Sequence, residues 1–177
     1  MEKIVYSDEF EKIITFFLFE CPVEKVSHRG EDFQELGWKG SSRLQMLERL
    51  LKGCTKIAEE EWICCHKSEV ESKANNIGSF LYIVCNNDKG RIKSIIYAIR
   101  NSFAHGSFEV KNIDGCNYYF LENWYKEKLR AKMVIEEKAL LDWIKIIKTN
   151  PICLTKKAIK KIAKERKRSK QTNYSDK

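Results

Sequence analysis

Long apolar runs are missing from this chain. The two longest, Ile13–Phe19 (with Thr15 inside it) and Phe80–Cys85, fall far short of the ~20 residues that cross a bilayer, so no membrane association is expected. Met1-Glu2-Lys3-Ile4 lacks the basic start and apolar stretch of a secretory leader, which points to the cytoplasm. No Cys-x-x-Cys pair occurs among the seven cysteines, Cys21, Cys54, Cys64, Cys65, Cys85, Cys116 and Cys153. An odd, scattered set without a leader reads as reduced, mostly buried thiols. Cys64-Cys65-His66 has the right residue types for zinc, but neighbouring cysteines ligate one ion awkwardly and no second pair sits at zinc-finger spacing. No metal and no cofactor are expected. Gly37 and Gly40 lack the strand–glycine–helix context of a nucleotide-binding loop. A serine nucleophile elbow, an internal repeat and a carboxylate cluster for Mg²⁺ are also missing.

What is present is an ordinary globular composition. Of the 177 residues 43% are hydrophobic, enough for a core, and 33% are charged. That size fits one domain with an appendage, here residues 1–150 and a basic tail over 151–177. The net charge of +8 is localised. Residues 155–170 hold Lys156, Lys157, Lys160, Lys161, Lys164, Arg166, Lys167, Arg168 and Lys170 against Glu165, while the rest carries 24 basic and 24 acidic side chains. The tail is a solvating appendage, partly helical or disordered, or a nucleic-acid contact. A contact through so many cations is steeply salt-dependent. A membrane-surface role would need more bulky apolar residues.

Helical periodicity marks residues 8–20, with Phe10, Ile13, Ile14, Phe17 and Leu18 on one stripe and Cys21-Pro22 as its stop. Residues 23–40 read as a loop with a short helix near 31–36. Leu44, Leu47, Leu50 and Leu51 predict a helix from Ser41 or Ser42 to about Ile57. Ser68 and Glu71 have capping-box spacing and open a helix over about 69–86. Its end, with Ile77, Phe80, Leu81, Ile83 and Val84, reads as central and buried. Asp88 caps a further helix over 89–105 with Ile92, Ile95, Ile96, Ile99 and Phe103 as its stripe. The period then shortens. Phe108-Glu109-Val110 and Tyr118–Leu121 flank Asp114-Gly115, a hairpin signal, and Leu129–Ile135 reads as a third strand. Leu140, Leu141, Ile144 and Ile147 place a last helix over 136–149. The predicted class is mainly α, a helical bundle with a three-strand excursion.

The chemistry concentrates in Arg100-Asn101-Ser102-Phe103-Ala104-His105, closed by Gly106. On a helical wheel the core stripe centres on Ile99 and Phe103. Ser94, Tyr97, Asn101 and Ala104 then point outward, with Arg100 on one flank and His105 on the other. Those two stand about 140° apart at 100° per residue, so they do not meet as an i, i+4 pair. Two copies of the helix would bring four such groups together. RNA carries its own nucleophile in the 2′-OH, and cutting it needs a proton-transfer group and a cation for the phosphorane. Histidine supplies the first near neutral pH and arginine the second through its planar fork, with Asn101 as a positioning group. The plainer reading is a helix C-terminal device at His105-Gly106, with Arg100 solvated or bridging Glu109.

That six-residue run, at the end of an apolar helix, resembles the signature of the HEPN superfamily; Arg100, Asn101 and His105 match its defined positions. The glycine, short strands and helix that follow look like stand-alone bacterial members over about 65–150. The N-terminal third and the tail have no counterpart in the resemblance. It implies an α-helical bundle, a homodimer joined through the motif helix (89–105), and metal-independent endoribonuclease activity leaving 2′,3′-cyclic phosphates. It also implies service in toxin–antitoxin pairs, with an antitoxin partner, or in phage defence. Members lacking the motif only bind or scaffold. RNA-binding candidates beyond the tail are Lys89, Arg91 and Lys93 at the start of the helix. Tyr118, Tyr119 and Trp124 would stack on bases if exposed, and otherwise pack the hairpin.

Overall fold

The computed structural model describes residues 7–23, 32–55, 80–83 (backbone only) and 90–151. Helix α1 spans Asp8–Thr15. The Ser7 side chain accepts the Phe10 N–H, and Asp8, Glu9 and Glu11 occupy the first turn, where the helix dipole favours negative charge. The helix runs on as a π-helical turn over Phe16–Glu20 and stops at Cys21 in extended geometry, as a residue before proline prefers. Residues 33–37 form a single turn in which the Glu35 carboxylate accepts the Asp32 N–H at 2.8 Å. This loop is anchored by Trp38, fully buried, whose indole N–H donates to the Ile147 carbonyl at 3.0 Å. Helix α2 covers Ser41–Thr55.

A four-stranded antiparallel sheet forms the second layer, in the order β1-β4-β3-β2. Its strands are β1 (Phe80–Ile83), β2 (Phe108–Ile113), β3 (Cys116–Tyr125) and β4 (Lys128–Glu136). Between β1 and β2 runs helix α3, Arg91–Ala104, and after β4 comes α4, Glu137–Lys148. Tyr119 and Leu121 of β3 and Ala131, Met133 and Ile135 of β4 are buried on one sheet face, as a two-residue period requires, in the same core as Ile95, Ile99 and Phe103 of α3 and Leu140 and Trp143 of α4. Trp143 donates its indole N–H to the Leu51 carbonyl at 3.0 Å, tying α4 to α2.

The mainly-α bundle expected from periodicity is corrected to an α+β fold, one sheet with helices packed on a face. The decisive segment is Phe80–Ile83. It pairs with β4 in the register Phe80↔Val134 to Ile83↔Ala131 and is a strand, not the end of a buried helix. A short continuous apolar run fits both periods, and its aromatic and β-branched residues favour the pleated one. The strands after the motif helix are therefore three of four, part of the core rather than an excursion. Helix α3 starts at Gly90, its N-cap, and not at Asp88. The start of the predicted 69–86 helix, Asp88, Lys89, His28, Cys64-Cys65-His66 and the tail from 152 lie outside the described residues.

Phe103 joins the layers. Its ring centroid lies 5.8 Å from Phe17, 5.1 Å from Phe108 and 6.1 Å from Tyr119, with edge-on or tilted geometries of the kind that add to burial. Phe103→Ala is expected to destabilise the chain by about 3–5 kcal/mol, read as a lowered urea midpoint. A loss below about 1 kcal/mol would remove this ring from its central role.

Candidate functional site

Helix α3 presents two faces. Ile92, Ile95, Ile96, Ala98, Ile99, Ser102 and Phe103 are buried, Tyr97, Arg100 and Asn101 are partly exposed, and Ala104 and His105 are exposed. The wheel is thus observed, except at Ser94. Ser94 is buried rather than outward, its hydroxyl donating to the Gly90 carbonyl at 2.8 Å. That back-bond satisfies the hydroxyl within its own helix and lets a polar residue enter the core.

The helix closes with two backbone bonds. Gly106 N–H reaches the Phe103 carbonyl at 3.2 Å and Ser107 N–H the Ser102 carbonyl at 2.8 Å, with Gly106 at φ 66°. This is a Schellman closure, which needs a glycine at the left-handed position. It accounts for Gly106 but makes no use of the His105 imidazole. That side chain is exposed and forms no ion pair or hydrogen bond among the described residues.

Arg100 is the more unusual group. One terminal nitrogen donates to Asn101 Oδ1 at 3.3 Å, and its Nε–H is buried without an acceptor among the described residues. Among the described residues no carboxylate pairs with it. The expected alternative, a bridge to Glu109, does not form; Glu109 pairs with Lys111 at 3.0 Å. The other basic residues of α3 behave differently. Arg91 meets Glu48 at 3.4 Å and Lys93 meets Asp32 at 3.5 Å, so both candidate RNA contacts are already ion-paired. Lys156, Lys157, Lys160, Lys161, Lys164, Arg166, Lys167 and Arg168 lie outside the described residues.

The surroundings of Arg100 include the Cys21 thiol. Burial pushes this thiol up to about 11, against the opposing pull of the Arg100 charge, and its S–H donates to the Phe17 carbonyl at 3.0 Å. Tyr119 is likewise raised, by burial and by its hydrogen bond to Glu137 at 2.9 Å. Of the aromatics weighed for base stacking, Tyr119 is therefore excluded as a core residue. Trp124 is 49% exposed, and its neighbour Tyr125 is 61% exposed. Its only sequence signal is the charged Lys126-Glu127-Lys128 that follows.

Among the described residues no three His, Cys, Asp or Glu side chains converge as a metal site, and no helix is long and apolar enough to cross a membrane. No family model, curated protein or solved structure matches this chain.

Both raised groups favour their protonated forms in the folded state. Their contribution is complete below the unfolded values, near 9 for the thiol, and for Cys21 it fades as pH rises toward 11. The urea midpoint is expected to fall between pH 9 and pH 11, and to fall less steeply in Cys21→Ala. An unchanged slope in that variant would show that the thiol is not the titrating group.

Proposed function

We propose that this chain is a metal-independent endoribonuclease using HEPN-type Arg–His chemistry on an α+β domain, acting in the cytoplasm as a toxin or phage-defence effector. One observation carries the reading. Among the described residues Arg100 has no carboxylate partner, and its buried Nε–H has no acceptor. The side chain is partly exposed, and a guanidinium there offers a phosphate oxygen charge-assisted hydrogen bonds.

The reaction runs as an internal transfer. The 2′-OH attacks the adjacent phosphorus, the bond to the 5′-oxygen breaks, and the products are a 2′,3′-cyclic phosphate and a 5′-hydroxyl. His105 moves the proton, from the 2′-OH or to the leaving oxygen. Arg100 stabilises the dianionic phosphorane, and Asn101, already bonded to Arg100, orients the guanidinium. Arg100 and His105 diverge by about 140° around the helix axis, so the working site takes its arginine from one chain and its histidine from a second, the two α3 helices packing together. The basic tail supplies sequence-independent affinity for RNA. In a toxin role, an antitoxin would cover the same α3 surface.

Purified protein is expected to cut single-stranded RNA in EDTA, and Arg100→Ala or His105→Ala to slow cleavage by at least about 100-fold with an unchanged fold. Cleavage by both variants at the parent rate would refute the site. Mixing the two inactive variants tests the shared site: a heterodimer rebuilds one Arg–His pair across the interface, so partial recovery is expected. An active monomer in sedimentation would exclude that arrangement.

A further inference from the structure

The β3–β4 hairpin reaches past the described residues of β1 and β2. Strand β2 begins at Phe108, opposite Leu121, and just before it the Ser107 carbonyl accepts the Glu122 N–H at 2.9 Å. Beyond that bond β3 continues for three residues, Asn123 to Tyr125, with only β4 beside it among the described residues. At ~3.3 Å per residue the overhang is about 10 Å. Because α3 feeds directly into β2, the helix ends at this same end of the sheet. The hairpin tip therefore projects beside the His105–Gly106 turn, and the Ser107–Glu122 bond fixes the two together.

The tip carries two rings that the core does not use. Trp124 is 49% and Tyr125 61% exposed. The β3–β4 register shifts between Asn123 and Trp124, but the Trp124–Glu122 hydrogen bond keeps Trp124 on the face of Glu122 and leaves the next residue, Tyr125, on the face of buried Tyr119 and Leu121, which α3 covers. Trp124 lies on the opposite face with Glu122, whose carboxylate accepts its indole N–H at 2.9 Å. Lys126 stands over the Tyr125 ring at 5.5 Å, and Lys128 and Arg130 follow. Exposed large rings near a candidate site mark an interaction surface, and rings set among cations suit stacked bases on a charged backbone.

We propose that this overhanging hairpin is a base-stacking arm for single-stranded RNA, seating unpaired nucleotides beside the phosphate held at Arg100 and His105; it rests on the ribonuclease reading above. Tyr125 takes the base on the motif side and Trp124 the next base around the tip. Bases in a duplex cannot reach such rings, so the arm selects unpaired substrate.

The test uses the full-length chain carrying His105→Ala and a short fluorescein-labelled single-stranded RNA of mixed sequence, read by anisotropy. Adding Trp124→Ala and Tyr125→Ala together should weaken binding by about ten-fold or more. Tyr125→Phe, which keeps the ring, should bind within about two-fold of the background, and the matching duplex should bind weakly and without dependence on the rings. The arm is overturned if the double alanine variant binds single strands as tightly as its background, or if Tyr125→Phe loses as much as Tyr125→Ala. Cleavage by the parent chain separates the two ideas. Cutting in EDTA with ring-independent binding rejects the arm alone; ring-dependent binding with no cutting supports the arm and rejects the nuclease.

Discussion

The rotation of one helix about its axis decides what this molecule can offer to solvent, and Phe103 sets that rotation. Its ring lies against Phe17 of the π-helical turn, Phe108 of β2 and Tyr119 of β3, so three separate segments grip the last turn of α3. Arg100 lies one turn earlier and His105 two residues later. A helix held at one residue is held at its neighbours, because each residue adds a fixed 100°. The Schellman closure then stops the chain within two residues. The site geometry is therefore inherited from the aromatic core, and little of it depends on contacts made by the site residues themselves.

Much of this was legible in the residues because amphipathic periods are strong signals. The stripes Phe10–Ile13–Phe17, Leu44–Leu47–Leu51 and Ile92–Ile96–Ile99 each name a helix that the structure contains, and Asp114-Gly115 names its turn. Failures fell where a period was absent. Phe80–Ile83 is apolar at every position, so helix and buried strand were indistinguishable until β4 supplied a partner. That single segment turned an expected bundle into an α+β fold. Trp38 lay in a glycine-rich loop and its role depends on Ile147, more than a hundred residues away, which no local pattern encodes.

At the site, residue identity was legible and electrostatic state was not. Spacing placed Arg100 and His105 on diverging flanks, but it could not say which acids would reach them. Glu109 was a plausible partner for Arg100 by proximity in sequence. It is instead taken by Lys111, two residues along the same strand and on the same face. The period-2 geometry of β2 puts those two side chains on one face, and among the described residues no carboxylate pairs with the guanidinium. Arg91 and Lys93, which looked equivalent from composition, are neutralised by Glu48 and Asp32. An arginine with no carboxylate partner among the described residues, beside two paired cations on one helix, is a difference that only the folded arrangement creates.

The two hairpin turns carry the same argument to the far end of β3. Each is a two-residue loop with both φ values positive: Asp114 and Gly115 at 51° and 80°, Lys126 and Glu127 at 47° and 60°. The first pair suits the primed turn that strand twist demands. The second does not, since a side chain larger than glycine in the left-handed region costs roughly 1–3 kcal/mol. The turn closes a long ladder that runs from Tyr118↔Glu136 to Tyr125↔Lys128, with one register shift between Asn123 and Trp124. An Asn-Gly tip would be cheaper, yet it would lack the cation that stands over Tyr125. The less favourable turn thus keeps a charge next to an exposed ring at the end of the sheet where α3 ends.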